Sequence, residues 1–559
     1  MGVYDNDKLQ FGIAESHEEL IQVFSVSKDE WGKAMTPQGY LHHYTLEFER
    51  QREEGKNIKA FYIKDIESGV IVASCIVNPK PGFFKEADRS QAIASIPDPT
   101  SFGVKNVTGL HVEMVFVNKD YRGKGLGEAV VERSIEYVEK SLIDKELEAS
   151  DVNAVDSFAN MVKDSLGKVD SVLANYYLSK KYIWHLYSGV GDTFYSRFGF
   201  KKYPIPLYLM PFDSFTFMNE TLDFLLKDSN KGQQSFPVVP GKLLQLLEAG
   251  NPQHQRIIES IYQSKELEIM MELNKTTFHL QLSGLLNSSS SLTNMNNILS
   301  YSKTHGGFGS SAAISEMAVF EDIEERSDTD SQTPTLRRKS SVMHSAVSKF
   351  AMKPDYLQFC NFAKGDTIIG RLKSELETLD EKKADTKSWN IQGAILTNEL
   401  QRKSYYIIWQ CLLGGSVFFI LSMGEVSGDI TGNGALSVLP FPNRRRGSSF
   451  TGLNDLGGIN FQDLDILLSA AARVANLRQP LYSKAFFVSP NDLPTDIPVT
   501  VVHDYFMNYL SSKRTESSKP IEFHEDASKL CVLPMLKRFG DTSPTFDLDW
   551  IYSGMWSWA

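Results

Sequence analysis

Cysteine is scarce: the 559 residues carry only Cys75, Cys360, Cys411 and Cys531, with no C-x-x-C pair. That excludes a disulfide scaffold and a cysteine-rich zinc module, leaves no metal site to expect, and suits a reducing compartment. A positive excess is missing too. Lys and Arg number 58 against 69 Asp and Glu, a net charge of −11, where a nucleic-acid binder needs a basic footprint. The opening residues, MGVYDNDKLQ, hold no apolar run of secretory type. Asn6 stands where myristoylation at Gly2 wants Ser or Thr. A cytoplasmic protein with neither nucleic-acid nor membrane partners is the expectation. Only Tyr405 to Met423 approaches a bilayer span in length. Gln410 and Gly414-Gly415-Ser416 interrupt it, and its β-branched and aromatic content reads as two buried strands joined by a tight turn.

What is present is ordinary globular material, 42% apolar and 23% charged, in a chain long enough for several domains. Leu9 to Ala14, Ile58 to Ile63, Val70 to Val77, Leu110 to Val117 and Ile183 to Ser188 read as strands. Glu18 to Val26 and Gly39 to Arg52 read as helices, and Thr193 to Phe198 as a short one. From Glu128 a longer helix shows one apolar face through Val131, Ile135, Val138 and Leu142. Hairpins followed by a strand-loop-helix unit predict a mixed sheet with helices on it, an α+β arrangement. This first domain is assigned to residues 1–210, and a helical connection to 211–282. Residues 283–353 are rich in Ser, Thr, Asn, Gly and charge, and cannot bury enough apolar surface to offset their ordering entropy. They are read as a disordered insertion. Residues 354–559 form a second α+β half. Its expected strands are Trp389 to Leu396, Tyr405 to Leu412, Val417 to Met423, Ala485 to Val488 and Val499 to Val502. An apolar helix is expected at Phe461 to Leu477, and Trp556 and Trp558 suggest a docked tail.

The chemistry-bearing passage is LHVEMVFVNKDYRGKGLGEAVVERSIEYVEK, Leu110 to Lys140. A strand ends at Val117, and Arg122-Gly123-Lys124-Gly125-Leu126-Gly127 leads at once into a helix. Glycines let the backbone bend sharply and approach a ligand closely. The loop amides and the helix N-terminus then converge on one point, which suits an anion such as a pyrophosphate, with Lys124 adding charge. The spacing is wrong for the G-x-G-x-x-G dinucleotide fingerprint.

The pattern Arg122-x-x-Gly125-x-Gly127 after VFVNKDY resembles the acetyl-CoA loop of GNAT-type N-acetyltransferases. Phe194-Tyr195-Ser196-Arg197-Phe198-Gly199-Phe200 is similar to that family's second signature. The resemblance implies a GNAT-type mixed, mostly antiparallel sheet with flanking helices. It implies acetyl-CoA as co-substrate, held around Phe116, Val117, Arg122, Gly123, Lys124, Gly125, Leu126 and Gly127. Residues Asp144 to Lys181 depart from the family spacing as a helical excursion that could wall the cleft. The long chain, the second α+β half, Leu533-Pro534-Met535 and the tryptophan-rich end resemble, more loosely, the fungal lysine N6-acetyltransferases. The hairpin-then-helix order of the C-terminal half resembles that of the first domain, which implies a second GNAT-like unit.

Acetyl transfer requires a neutral amine, and holding a lysine amine neutral at pH 7 costs about 4.6 kcal/mol. A base or a desolvating pocket must supply that. His111 and Glu113 lie two apart on the strand before the loop, so they share a face, and either could serve. The resemblance implies an oxyanion donor among the backbone N–H groups near Phe116 or Val117, and Tyr195 as the acid for the leaving thiolate. Trp184, His185 and Tyr187 could line the cleft. No cysteine lies in either motif, so direct transfer is expected.

The expected reaction is acetylation of the N6 amine of free L-lysine, opening lysine degradation. A protein or polyamine acetyltransferase is the alternative enzyme, and an acyl-CoA-binding regulator the non-catalytic one. Arg337-Arg338-Lys339-Ser340 and Arg445-Arg446-Gly447-Ser448 fit the pattern of basophilic kinases, with phosphorylation expected at Ser340 and Ser448.

Overall fold

A computed structural model describes residues 8–32, 36–87, 103–150, 154, 157–164, 167–228, 241–287, 347–377, 386–400, 403–412, 417–427, 437–438, 459–478, 485–493, 499–514, 519–529 and 533–557. The N-terminal part begins with β1 (Leu9–Ile13), α1 (His17–Ser25), α2 (Lys28–Trp31) and α3 (Pro37–Glu53). Strands β2 (Lys59–Asp65), β3 (Ile71–Lys85) and β4 (Val104–Val117) follow. Then come α4 (Leu126–Glu148), α5 (Phe158–Val162), α6 (Ser171–Leu178), β5 (Tyr182–Ser188), α7 (Thr193–Ser196) and β6 (Lys201–Lys202). The chain continues through β7 (Leu207–Pro211), α8 (Asn219–Asp228), β8 (Lys242–Glu248), α9 (Pro252–Asn287), β9 (Ser348–Met352) and α10 (Tyr356–Glu377). The hairpin strands β10 (Ile391–Asn398), β11 (Lys403–Leu412) and β12 (Val417–Ser427) precede β13 (Ser437–Val438), α11 (Phe461–Arg478) and β14 (Ala485–Val488). Helix α12 (Val499–Asp504), β15 (Glu522–His524), β16 (Leu533–Arg538) and β17 (Leu548–Trp550) complete it.

The strands form two mostly antiparallel sheets. The first runs β1-β2-β3-β4-β5-β16-β6, with β9 on the far end of β3 and β17 beside β9. The second runs β15-β7-β14-β12-β11-β10-β8, with β13 on β12. Each holds a parallel pair joined through a helix: β4 and β5 through α4, and β12 and β14 through α11. A parallel pair demands such a crossover. The predicted apolar stripe of α4 (Val131, Ile135, Val138, Leu142) is buried on the first sheet against Leu110, Val112, Trp184 and Leu186. Helices α1 and α3 cover the opposite face through Leu20, Phe24, Tyr40 and Phe48. A capping box starts α1: Ser16 Oγ accepts from the Glu19 N–H at 3.1 Å, and Glu19 Oε2 accepts from the Ser16 N–H at 3.3 Å.

The sheets do not follow the linear order of the chain. Strand β7 leaves the N-terminal region to pair with β14, and β16 returns from the C-terminal region to pair with β5. Glu139 of α4 secures that return. Its Oε1 accepts from Trp184 Nε1 at 2.9 Å, from the Gly540 N–H at 3.0 Å and from Lys537 Nζ at 3.4 Å.

Several expectations change. Val499 to Val502 is helical, not a strand: alternating valines suit either period, and the turn continues as a π-helix to Leu510. The region 211–282 is more than a helical connection, since Leu243 to Leu247, rich in helix-forming leucine, pairs as edge strand β8 with β10. Both ends of the expected insertion lie in regular elements: Ser283–Asn287 closes α9 and Ser348–Met352 contributes β9, which pairs with β3. Residues 288–346 lie outside the described residues, as do Ser340 and Ser448. The excursion Asp144 to Lys181 does hold helices α5 and α6, but Phe158, Val162, Ala174 and Leu178 pack into the α4-side core. Tyr405–Leu412 and Val417–Met423 form the antiparallel pair β11–β12, and the turn expected between them, 413–416, lies outside the described residues; no described helix is long and apolar enough to cross a membrane.

Glu139→Ala should lower stability by about 2–4 kcal/mol, because it strands the Trp184 N–H and leaves the buried Lys537 ammonium with backbone carbonyls in place of its carboxylate partner. Thermal unfolding of the two proteins measures this; an unchanged midpoint would show that β16 is held by its backbone ladder alone.

Candidate active site

The site begins where two strands part. Strand β4 pairs with β5 from Thr108↔Tyr182 to Val112↔Leu186. Beyond that, β4 runs on to Val117 against β3, while β5 stays with β16 as far as Leu533↔Ser188. A β-bulge lies at the parting: the β3–β4 register slips between Ser74 and Ile76, and Met114 takes φ +54°. Such a conformation is unusual for a side chain as bulky as Met and marks a functional site when something holds it. Here Ser74 Oγ donates to the Met114 carbonyl at 3.3 Å. The bulge also resets the alternation. Val112 packs on the α4 side, Met114 on the α1/α3 side, and Val115 and Val117 again on the α4 side.

The glycine loop follows directly. Gly123 and Gly125 have φ +78° and +74°, and Gly125 is the N-cap of α4 with no side-chain cap. The first bond back to the cap comes from the Ala129 N–H to the Gly125 carbonyl, at 3.1 Å. The amides of Leu126, Gly127 and Glu128 precede it, so they stand among the donors a helix start leaves open. A Cβ on Gly127 would come within 3.4 Å of Val117 and 3.5 Å of Phe194, so this glycine lets the helix close on the strand and on the second motif. Arg122 is fixed by three contacts: its Nε donates to the Val117 carbonyl at 3.1 Å, it pairs with Glu30 at 2.5 Å, and it lies 5.1 Å over Phe116. Trp31 packs on the same Phe116 ring. The Lys124 ammonium stands 4.6 Å over Tyr121.

On the α3 side of the parting, the structure brings His111 and Glu113 together. Their Nδ1 and Oε2 are 3.2 Å apart, outside hydrogen-bond geometry. Glu113 Oε1 accepts from Asn78 Nδ2 at 3.2 Å. The His111 ring stacks on His185 at 4.7 Å and meets Tyr187 edge-on at 6.0 Å. Both nitrogens of His185 are buried without a hydrogen-bond partner among the described residues. Gly109 makes room for that ring, since a Cβ there would stand 2.9 Å from it.

Burial is the main influence on His111 and sets its pKa below the ordinary 6.5, with the nearby Lys80 charge adding to it. The imidazole is therefore a neutral base at pH 7. For Glu113 burial is again the largest influence and works upward, but His111, Lys80 and Asn78 together outweigh it. Its carboxyl is held below the usual range and is ionised. Burial lowers the Lys80 ammonium against the pull of Glu113 and Asp355. Tyr44 of α3 is pushed up to about 12 by burial, with the Glu113 charge contributing.

Tyr195 lies on the other face, packed against Phe194 at 4.8 Å and Phe200 at 6.1 Å within the α4-side core. Burial raises its pKa well above the free phenol, with Cys75 next in effect. It stays protonated, as a proton donor must. Of the expected cleft residues, Trp184 faces the α4-side core, whereas His185 and Tyr187 flank His111.

Residues 22–159 match the family model described as Acetyltransferase (GNAT) family, and the chain carries an acetyltransferase domain of that family. The match covers β4, the glycine loop and α4, and ends before Tyr195. No curated protein matches the chain. Among solved structures, the chain is similar to a tandem GNAT protein from the clavulanic acid biosynthesis pathway: 10% identity, 96% of this chain and 99% of that one covered, TM-score 0.32. It is also similar to a GCN5-related N-acetyltransferase from Kribbella flavida, with 8% identity, 95% and 72% coverage and a TM-score of 0.32. A third is a glucosamine-6-phosphate N-acetyltransferase from Arabidopsis thaliana, with 20% identity, 24% and 76% coverage and a TM-score of 0.17. Likenesses of this strength carry no argument of their own.

The residues present fit a CoA thioester. The strands part, the loop glycines hold positive φ, and the helix start offers open donors beside Lys124. Asn78, Lys80 and the Met114 bulge were not singled out in the sequence. The signal for Asn78 was there: a polar residue closing the apolar run Ile71 to Val77.

Gly125→Ala should weaken CoA binding about fivefold to thirtyfold, since a side chain at φ +74° costs about 1–2 kcal/mol. Calorimetric titration with CoA reads this directly, and unchanged affinity would mean that the loop does not cradle the ligand.

Proposed function

We propose that the protein is an acetyl-CoA-dependent N-acetyltransferase that works by direct transfer, with free L-lysine as its acceptor and N6 as the acetylated atom. The observation that carries the reading is the neutral His111 beside ionised Glu113 at the parting of β4 and β5, with the glycine loop beyond it. Acetyl-CoA would supply the activated acetyl group, and Gly123, Lys124, Gly125, Leu126 and Gly127 would hold its phosphates.

Each residue has a task. His111 and Glu113 take the proton that the acceptor ammonium must lose, the step costing about 4.6 kcal/mol at pH 7. Asn78 keeps the Glu113 carboxylate in place. Backbone N–H groups of Phe116 and Val117, on the stretch that has left β5, are the oxyanion donors. Tyr195, protonated on the opposite face, supplies a proton to the leaving sulfur. Lysine as acceptor is supported by the resemblance noted in the sequence and by the mixed charge at the cleft, where Lys80 stands among Glu113 and Asp355. The same proposal puts the reaction in the cytoplasm, as an opening step of lysine degradation, with kinase control at Ser340 and Ser448.

The test is incubation with acetyl-CoA and L-lysine, following CoA release and product mass. N6-acetyl-lysine is expected. Release only with polyamines or peptides would discard lysine, and absence of release with every amine, despite CoA binding, would leave a regulator. Glu113→Gln should lower kcat/KM by about 10²-fold or more. The acid limb of the kcat/KM profile should fall below pH 6.5, because protonation of a depressed His111 removes the base. An acid limb centred above 6.5 would contradict that assignment.

A further inference from the structure

The two sheets follow one plan. In the first, β1 to β4 run antiparallel, β5 lies parallel to β4 across α4, and β16 and β6 close the far end. In the second, β8, β10, β11 and β12 run antiparallel, β14 lies parallel to β12 across α11, and β7 and β15 close the far end. Helices α1 and α3 separate the first two strands of one sheet, and α9 and α10 those of the other. Each pair covers the face opposite the crossover helix. The closing strand is exchanged. In the chain β7 follows β6 and β16 follows β15, yet each inserts into the other sheet, beside its parallel pair. Agreement in strand order, direction, crossover and helix placement marks an internal duplication.

The register then sets the two sites side by side. The last two pairs of β4 with β5 are His111↔His185 and Val112↔Leu186; those of β12 with β14 are Phe419↔Phe487 and Ile420↔Val488. His111 stacks on His185 at 4.7 Å, and Phe419 stacks on Phe487 at 4.9 Å. Leu421 stands one place on, as Glu113 does, and a register slip falls there too, between Ile408 and Trp409 of the facing strand. Gln410 opposes Phe419 as Asn78 opposes His111. With leucine in place of the carboxylate, both amide atoms of Gln410 are buried without a hydrogen-bond partner among the described residues. Phe419, Phe487, Leu421 and Gln410 do not titrate, so this copy holds no base where the first holds His111 and Glu113.

The opening for a thioester is filled as well. Beyond Ile420, the edge of β12 that β14 leaves is taken by β13 at Val426 and Ser427. The turns Pro490–Asp492 and Met555–Ser557 lie against β12, and Trp556 joins the core of Phe419, Leu421 and Phe487. Where α4 starts at a glycine with no side-chain cap, α11 is capped: Asn460 Oδ1 accepts from the Asp463 N–H at 2.8 Å. Asp463 is itself buried and pairs with Lys242 at 2.6 Å. A phosphate at this helix start would meet a carboxylate whose counter-charge is already engaged.

We propose that the chain is a duplicated acetyltransferase fold with one working copy: the C-terminal unit binds no CoA and transfers no acetyl group, and serves as a built-in partner that supplies β16 to the first sheet. This rests on the acetyltransferase reading and assigns its site to the N-terminal copy.

The experiment is calorimetric titration of the full-length protein with CoA. One site per chain is expected, and Gly125→Ala should weaken the whole isotherm, leaving no fraction bound at the original affinity. Two sites per chain, or a class of sites untouched by Gly125→Ala, would overturn the proposal and leave the acetyltransferase reading standing. No binding at all would reject that reading itself, and the N-terminal seat with it. Turnover gives a second readout. Phe419→Leu keeps an apolar core residue and should leave kcat/KM unchanged, unlike Glu113→Gln. A folded Phe419→Leu protein that loses activity as Glu113→Gln does would contradict a silent second copy. Should Phe419→Leu impair folding, the count of sites in the unaltered protein still decides.

Discussion

The site depends on the parting of β4 and β5. Parallel strands stay paired while their backbone groups answer one another, and here the pairing stops at Val112 and Leu186 although both strands continue. The bulge at Met114 turns β4 away, while β5 stays paired with β16 on its other edge. The freed stretch of β4 then leads within ten residues into the start of α4, so strand amides and helix amides open onto one region. His111 and Tyr195 fall on opposite faces of the sheet: alternation along β4 turns His111 away from α4, and α7 packs Tyr195 into the α4-side core.

The exchange of strands between the two sheets makes the N-terminal domain depend on the C-terminal half. Strand β16 completes the first sheet, and Glu139 binds it to α4 and β5 with one carboxylate. Asp492 and Ser557 of the tail come close to Tyr187, so the surroundings of His111 draw on both halves. An acetyltransferase domain cut at residue 210 would lack β16 and all of that wall.

Much of this was legible in the sequence. The α4 stripe at Val131, Ile135, Val138 and Leu142, the strand ending at Val117 and the glycine loop were local patterns, and local patterns survive folding. His111 and Glu113 shared a face by simple alternation. Less legible were features set by partners far along the chain. The bulge at Met114 depends on slipped register with β3. The pairing of β16 with β5 joins residues about 350 apart, as the match of Arg538 with Ile183 shows. Val499 to Val502 took the helical period because its packing, not its propensity, decided. Lys80 follows two strand positions after Asn78, and its significance appears only when His111 and Glu113 lie beside it.

The most direct test of the site is amide hydrogen exchange with and without CoA. Protection should concentrate in Val115 to Val117 and Gly123 to Glu128, with β11 and β12 of the second sheet unchanged. Protection spread evenly through both sheets, or none at the glycine loop despite measurable CoA binding, would show that the ligand sits elsewhere and that the parting of β4 and β5 is not its seat.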